Sequence, residues 1–207
     1  MIRNLEDLKE KMQLEAIDFD EDFYKKSFLI VPSRINNDKM KLLQEKLPNL
    51  PNSYSKLLHN YNFFEVEVGY FSLSPLTHDL DNIVDSLIKA QTKQDSFLPR
   101  SLLDRYDLYW VGTNNNDTIY VAGKNSKFLE GEVIAIHEFI LNAEEKDCEQ
   151  YILRLAQDFE QFLIIAGNLN EIYRTMENTQ DREEELFKCL KLLQVDRKYY
   201  DSWAEYL

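Results

Sequence analysis

Three strand-like runs lie close together in the middle of the chain, at residues 108–112, 118–122 and 132–137. Each is rich in the β-branched and aromatic residues that favour strands. The first two are separated by residues 113–117, which include three asparagines and an aspartate, and these residue types tolerate the left-handed backbone angles of tight turns. The pattern predicts an antiparallel meander, and any fold of this chain must be built around that sheet.

Segments with a helical spacing of apolar residues flank the meander on both sides. Apolar side chains recur there at intervals of three and four, which places them on one face of a helix. Asn37 or Asp38 can cap one of these helices, and Pro48 ends it because proline cannot donate the next backbone hydrogen bond. The predicted helices lie near residues 5–12, 38–47, 51–61, 82–88, 151–176 and 182–193. We therefore expect an α+β fold in which helices flank a curved, mainly antiparallel sheet.

Two further strands are expected before the meander. Residues 64–70 alternate apolar and mostly polar positions, with Glu65 and Glu67 on the polar side. This period of two is typical of a half-exposed strand. The β-rich run at residues 27–31 indicates an edge strand.

The charge balance is strongly acidic. There are 24 Lys and Arg residues and 37 Asp and Glu residues, which give a formal net charge of −13 at pH 7. Residues 130–160 alone contain nine acids and two bases. Such a field repels phosphate backbones and steers basic proteins towards the chain, so we expect a protein partner and no direct nucleic-acid binding. The alternative is that these charges only keep the surface soluble.

No targeting or membrane segment is visible in the 207 residues. The first ten residues carry charges where a signal peptide needs an apolar stretch of about 7–15 residues, and the apolar runs are far shorter than the roughly 20 residues of a membrane helix. Cys148 and Cys189 have no metal-ligand spacing, which favours buried thiols in a reducing compartment. The expectation is a single cytoplasmic domain over residues 1–207 that does not contact a membrane.

The sequence contains no motif of a known catalytic or cofactor site. Phosphate-binding loops need clustered glycines, whereas the five glycines of this chain are scattered. His59, His78 and His137 are far apart, and none belongs to an HExxH motif. We therefore expect no catalytic residue, no cofactor and no metal ion. A hydrolase that uses scattered histidines and acids is the least favoured alternative.

One segment resembles a known family signature. Residues 50–62, which read LPNSYSKLLHNYN, are similar to the LPxxYxxfLxxyNG block near the start of SUKH-superfamily domains, the Smi/Knr-like group. Later blocks follow in the order of that family, at residues 70–73, 109–121, 131–138 and 155–163. The positions that carry the likeness are Leu50, Pro51, Tyr54, Leu58, Asn62, Trp110, Gly112, Phe159, Phe162 and Leu163. The likeness covers about residues 38–168 and leaves residues 169–207 as a helical extension.

Two turns depart from the family pattern. The family's NGg becomes Asn-Phe-Phe at residues 62–64, and the Gly-Asp of its central turn becomes Asn-Asp at residues 116–117. Apart from these turns, the shared positions are the kind that build a scaffold. Proline sets the first turn of a helix, and the aromatic residues of the later block anchor a helix to the sheet. The motif therefore predicts a fold rather than a reaction.

The resemblance implies an α+β domain that binds a protein and is not an enzyme. Bacterial members of the family are immunity proteins that neutralise cognate toxins, often nucleases, delivered by neighbouring cells. Because a nuclease domain must be basic to hold phosphates, the acidic balance of this chain agrees with that role. The hypothesis is an immunity protein that binds a basic, nuclease-type toxin one to one and occludes its active site. The alternative is a regulatory scaffold or adaptor, as in the fungal relatives, whose residues 182–207 recruit a partner.

The candidate contact residues are acids expected to project from the sheet or its turns. They are Glu65, Glu67, Asp107, Asp117, Glu130, Glu132 and Glu138. Aromatic anchors should accompany them, because a few buried aromatic side chains carry most of the binding energy at protein interfaces. Tyr70, Tyr109 and Tyr120 are the candidates, and core packing is the alternative for each of them.

Overall fold

The helices and strands alternate along much of the chain. The computed structural model describes residues 1–18, 29–63, 65–74, 82–92, 100–115, 117–143 and 145–207. Within these ranges the α-helices are α1 (Leu5–Glu15), α2 (Asn37–Lys46), α3 (Asn52–Asn60), α4 (Ile83–Thr92), α5 (Arg100–Tyr106), α6 (Phe159–Thr175), α7 (Thr179–Leu192) and α8 (Tyr200–Ala204). The strands are β1 (Val31–Pro32), β2 (Tyr61–Asn62), β3 (Glu67–Val68), β4 (Phe71–Leu73), β5 (Leu108–Asn114), β6 (Asp117–Ala122), β7 (Val133–His137) and β8 (Ile152–Ala156). Short 3₁₀ helices occupy Ala16–Asp18, Glu138–Asn142, Glu145–Tyr151 and Arg197–Tyr199.

Six of the described strands form one antiparallel sheet whose spatial order follows the chain, from β3 to β8. The predicted meander is confirmed: at one end of it Asn114 of β5 pairs with Asp117 of β6, and Asp117 pairs with His137 of β7. A register shift between Trp110 and Gly112 is a β-bulge, which bends the strand locally. Strands β1 and β2 pair separately. The expected α+β class, with an antiparallel sheet and flanking helices, is confirmed.

Both faces of the sheet are covered, because alternate residues of each central strand enter different clusters. In β6, Ile119 and Val121 point into the main core, whereas Tyr120 and Ala122 point into a smaller cluster. Helices α1 to α4, α6 and α7 pack on the main-core face. Helix α5 and the 3₁₀ segments after β7 cover the other face. Strands buried on both faces read as continuous apolar runs, which is the pattern of residues 119–122.

Asparagine and aspartate side chains begin four of the described helices. Each accepts a hydrogen bond from a backbone N–H of the first turn, which would otherwise be unsatisfied. The caps are Asn4 for α1, Asn36 for α2, Asp158 for α6 and Asn178 for α7. The cap of α2 therefore lies just before the predicted Asn37 or Asp38.

Residues 65–73 form a hairpin instead of the single predicted strand. Strands β3 and β4 pair antiparallel through a turn that contains Gly69 and Tyr70. Glu65 and Gly69 both have a φ of 61°, a left-handed conformation that breaks the pleat on each side of β3. Alternation alone does not reveal such breaks. Phe64, which belonged to the predicted strand, lies outside the described residues.

The prediction of a helix over residues 151–176 is wrong in its first part. Residues 152–156 form β8, which pairs with β7, and the helix begins only at Phe159 after the Asp158 cap. The apolar side chains of this part also fit a period of two, and the open edge of β7 favours the strand. In the same way Tyr61, predicted at the end of a helix, lies in β2. Helix α7 starts at Thr179, slightly before the predicted residue 182.

The C-terminal segment, residues 197–207, is part of the main core. Tyr199 and Trp203 are fully buried there, and the Trp203 Nε1–H donates a hydrogen bond of 2.6 Å to the backbone oxygen of Leu155 in β8. The Trp203 ring lies 5.9 Å from that of Phe162 and 5.8 Å from that of Phe71. The segment therefore crosses the main-core face from β8 towards β4.

Some predictions fall partly or wholly outside the described residues. His78, the helix start at Asp81 and residues 27–28 of the predicted edge strand belong to this group. Of the remaining edge strand, Val31 lies in β1. Within the ranges that the structure describes, no helix has both the length and the apolar character needed to cross a membrane.

Replacing Trp203 with alanine tests the packing of the C-terminal segment. The change removes a fully buried ring and leaves the Leu155 oxygen without its donor, so the free energy of unfolding should fall by about 3–5 kcal/mol. The matched control is Leu192→Ala, because Leu192 is 66% exposed and should change stability by no more than about 0.5 kcal/mol. Urea unfolding followed by circular dichroism measures both. Similar unfolding midpoints for the two variants would contradict the packing.

Candidate partner-binding site

The seven predicted contact acids do not form one face. The end of the sheet that carries Ala122 has Asp107, Glu130 and Glu132. The opposite end has Asp117 and Glu138. The β3 hairpin at the sheet edge has Glu65 and Glu67. Strand β6 spans the sheet from Asp117 to Ala122, and at about 3.4 Å per residue its ends are roughly 17 Å apart. The predicted acids are thus distributed over three places on the sheet.

Two acids at the Ala122 end hold turns in place. Asp107 has a φ of 49°, and its Oδ2 accepts a hydrogen bond of 2.8 Å from the backbone N–H of Asn125. Glu130 is exposed, and its Oε1 accepts a hydrogen bond of 3.0 Å from the backbone N–H of Asn52 at the start of α3. Pro51, the N-cap residue of that helix, offers no side-chain acceptor, so the Glu130 carboxylate takes over the capping role. These two acids have roles inside the fold.

Glu132 is fully buried, so the prediction that it projects towards a partner is wrong. Its carboxylate accepts two hydrogen bonds of 2.9 Å from the Arg154 guanidinium and one of 2.8 Å from the Tyr199 hydroxyl. Burial, and then the hydrogen bond and charge of Glu132, raise the pKa of Tyr199 above its usual range. The cluster ties β7 and β8 to the C-terminal segment. The Glu132 carboxylate can be buried because these hydrogen bonds and the Arg154 charge compensate for the hydration that it loses.

A row of polar side chains crosses three strands at the other end of the sheet. Asn114, Asp117 and His137 lie opposite one another on β5, β6 and β7, and directly opposite residues of antiparallel strands point to the same face. The Tyr206 hydroxyl donates a hydrogen bond of 2.8 Å to Asp117 Oδ2 from the C-terminal segment. Burial, and then the charge and hydrogen bond of Asp117, raise the pKa of Tyr206, so this hydroxyl stays a donor at neutral pH.

This row forms the floor of a cleft of about 400 Å³, which we call the turn-end cleft. Its lining residues are Tyr70, Asn114, Asn115, Asp117, His137, Tyr173, Glu205, Tyr206 and Leu207. The Tyr70 and Tyr173 rings meet edge to face at 5.1 Å and form one wall. The Tyr173 hydroxyl lies 2.5 and 2.9 Å from the backbone oxygens of Tyr206 and Leu207, and its one proton, shared between them, ties this wall to the C-terminal segment.

The turn-end cleft is acidic. Among the described residues that line it, Asp117 and Glu205 carry negative charge and none is lysine or arginine. The Nδ1 of His137 accepts a hydrogen bond of 3.2 Å from the backbone N–H of Phe139, so the proton of the neutral ring lies on Nε2. The cleft therefore presents mainly oxygen acceptors, which suit a cationic group.

Exposed apolar side chains stand beside this acidic cleft. Tyr70, in the cleft lining, is 52% exposed, and Phe139, just after β7, is 57% exposed. The Phe139 ring lies 4.5 Å from the His137 ring of the cleft lining. Large apolar side chains grouped around polar ones are typical of protein interaction sites, where they supply most of the binding energy. We refer to Tyr70 and Phe139 as the apolar rim.

The structure separates the three predicted aromatic anchors. Tyr70 lies exposed in the cleft wall and can contact a partner. Tyr120 is fully buried in the smaller cluster, so it cannot do so, and Tyr109 is half-buried against the main core. For Tyr120 the alternative of core packing is therefore the correct one.

Several cleft residues had no sequence signal. Tyr206 and Asp117 are 89 positions apart, and no local spacing connects them. The same is true of Glu205, which the fold brings to the cleft from the C-terminal segment. The sequence predicts His137 as the last residue of its strand, and the register of β6 and β7 places it opposite Asp117. Only the strand pairing itself could have indicated this row.

The positions shared with the SUKH motif lie in the scaffold. Leu50, Tyr54, Leu58, Asn62, Gly112, Phe159, Phe162 and Leu163 are buried, Pro51 is the N-cap of α3, and Trp110 is half-buried. The Tyr54 and Phe159 rings meet edge to face at 5.0 Å and join α3 to α6. At Gly112 a Cβ would come within 2.7 Å of the Ser72 backbone oxygen, so the approach of β4 to β5 requires glycine.

No protein-family model, curated protein or solved structure matches this chain. Within the described residues, no group of three or more His, Cys, Asp or Glu side chains is placed to hold a metal ion. What the turn-end cleft can bind therefore follows from its own residues.

Exchanging Glu132 and Glu138 for glutamine separates the structural acid from the exposed one. Glu132→Gln removes the charge that Arg154 and Tyr199 share, so the free energy of unfolding should fall by about 1–3 kcal/mol. Glu138→Gln changes an exposed side chain and should alter stability by less than about 0.5 kcal/mol. Thermal and urea unfolding of both variants give the comparison. If Glu138→Gln proved the more destabilising change, the assignment of the two acids would be reversed.

Proposed function

We propose that this chain is an immunity protein that binds a basic, nuclease-type toxin domain one to one and neutralises it by covering its active site. The observation that carries the proposal is the acidic turn-end cleft with its apolar rim. A nuclease active site is lined by cations that hold phosphates, and an acidic surface can occupy the same cations. The resemblance of residues 50–62 to the SUKH signature supports the same role.

Charge and apolar contact would make different contributions to this binding. The net charge of −13 steers a basic partner towards the chain and raises the association rate, an effect that salt weakens. The apolar rim lowers the dissociation rate of the complex, because buried aromatic side chains contribute most of the binding energy at interfaces. A complex of this kind forms fast and dissociates slowly, as neutralisation of a toxin requires.

The scaffold holds the cleft in its binding shape before a partner arrives. Asn114, Asp117 and His137 are fixed by strand pairing, and Tyr206 is held by its hydrogen bond to Asp117. A surface that is already ordered loses little conformational entropy on binding. This is the property expected of an inhibitor with high affinity.

The proposal places the protein in the cytoplasm, where its two cysteines stay reduced. Cys148 and Cys189 are buried thiols, and burial raises the pKa of the Cys189 thiol to about 11. A protonated, buried thiol reacts slowly. A structural role for both cysteines therefore agrees with a reducing compartment.

The alternative adaptor role relied on the residues after 182 as a partner-binding tail. In the structure Tyr199 and Trp203 are fully buried in the main core. A partner could reach them only by unfolding the C-terminal segment. The burial of this segment therefore favours binding through the turn-end cleft over recruitment by the tail.

Co-expression in a test bacterium examines the role directly. The carboxy-terminal domain encoded immediately upstream of this gene is expressed with and without the chain, and growth is measured. Rescue of growth, together with a stable one-to-one complex, is the expected result. Toxicity that the chain does not relieve would contradict the immunity role and favour the adaptor alternative.

A charge-reversal pair locates the binding surface in that complex. Glu138→Lys combined with Glu205→Lys should lower the association rate at low salt roughly tenfold and weaken its dependence on salt. The matched control is Glu183→Lys combined with Glu184→Lys on α7, which makes the same charge change at exposed positions. Stopped-flow association measures both. If the control pair slowed association as much as the first pair, the turn-end cleft would not be the contact surface.

A further inference from the structure

Asn114 is an unusual member of the turn-end cleft. It lines the cleft, yet only 6% of its surface is exposed. The described residues provide no hydrogen-bond partner for its side-chain amide. The Asn114 amide atoms are not among the described polar atoms that are buried without a partner, so they face the cleft. An entering group can therefore replace water as their hydrogen-bond partner.

A second acceptor lies directly beside this amide. Asn114 and Asp117 are opposite partners on β5 and β6, so their Cβ atoms are about 4.5–5.5 Å apart on the same face. Asp117 Oδ2 accepts the Tyr206 hydroxyl, whereas no described residue donates to Oδ1. The two side chains thus bring an amide, with its one oxygen, and a carboxylate to neighbouring positions on one face of the sheet. Oxygens at such neighbouring positions match the two parallel N–H groups of a guanidinium.

The aromatic wall of the cleft suits a planar cation. Arg182 already lies over the Tyr173 ring, with its Cζ 4.4 Å from the ring centroid, and its Nε donates to the Met176 oxygen outside the cleft. The neighbouring Tyr70 ring is 52% exposed and is the one open to a ligand. Arginine stacks on such faces more readily than lysine, whose charge is compact and strongly hydrated.

We propose that the turn-end cleft is a socket for one arginine side chain of the partner protein. Its guanidinium donates to the Asn114 and Asp117 oxygens and stacks on Tyr70, and Glu205 adds negative charge at the lining. The socket rests on the proposed function, because it assumes that the partner is a basic protein. It goes further in stating which side chain enters and which atoms receive it.

Titration with small probes tests the socket without the partner. N-acetyl-arginine amide is added to the full chain, and the side-chain amide signal of Asn114 and the backbone signal of His137 are followed by NMR. N-acetyl-citrulline amide has the same shape without the charge, and N-acetyl-lysine amide has the charge without the planar fork. Saturable shifts are expected with arginine, and affinities roughly tenfold lower with the other two probes. Equal binding of citrulline or lysine would overturn the proposal.

Two cleft variants and a control assign the binding to these residues. Asn114→Ala and Asp117→Asn should each weaken arginine binding roughly tenfold. The amide oxygen that Asp117→Asn introduces can still accept the Tyr206 hydroxyl, which protects the fold. Asp181→Asn, an exposed change on α7, should leave binding unaltered. Urea unfolding confirms that each variant is folded, and arginine binding that survives both cleft variants would overturn the socket.

The two proposals fail in different ways. If the chain rescues growth but arginine does not shift the cleft signals, the socket is wrong and the immunity role stands. If arginine binds as described but the chain gives no rescue, the socket stands and the toxin is the wrong partner.

Discussion

The packing of the C-terminal segment against the sheet is the contact on which the rest of the structure depends. Trp203 enters the main core between Phe71 and Phe162 and satisfies a backbone oxygen of the edge strand β8. A few residues further on, Tyr206 reaches Asp117 and completes the turn-end cleft. The same segment therefore stabilises the fold and builds the surface that we propose as the binding site, so a loss of packing at Trp203 would also open the cleft.

The acidic residues have two different uses in this protein. At one end of the sheet Asp107, Glu130 and Glu132 accept hydrogen bonds from backbone and side-chain donors, and they hold turns, a helix start and the C-terminal segment. At the other end Asp117 and Glu205 line a cleft without a lysine or arginine among its described lining residues. A count of charges along the sequence treats these groups as equal. Only the structural context distinguishes the acids that hold turns and a helix start from the acids that line the cleft.

The sequence allowed the sheet to be predicted better than the cleft. The meander was accessible because residues 108–137 combine apolar strands with turns rich in asparagine, and both are local signals. The β3 hairpin was missed because the left-handed conformations of Glu65 and Gly69 leave the alternation of side chains intact. The sequence of strand β8 also fits a helix, because its apolar residues agree with either period, and pairing with β7 decides between the two. The cleft depends on a contact between Asp117 and Tyr206 that no sequence spacing encodes.

Hydrogen exchange of the chain with and without the proposed toxin domain tests the central claim most directly, because it reports which backbone segments the partner covers. The account predicts slower exchange on binding at residues 112–115, 137–141 and 203–207, which carry the cleft and its apolar rim. It predicts no change at residues 123–132, at the opposite end of the sheet. Protection confined to residues 123–132, with none around the turn-end cleft, would contradict it.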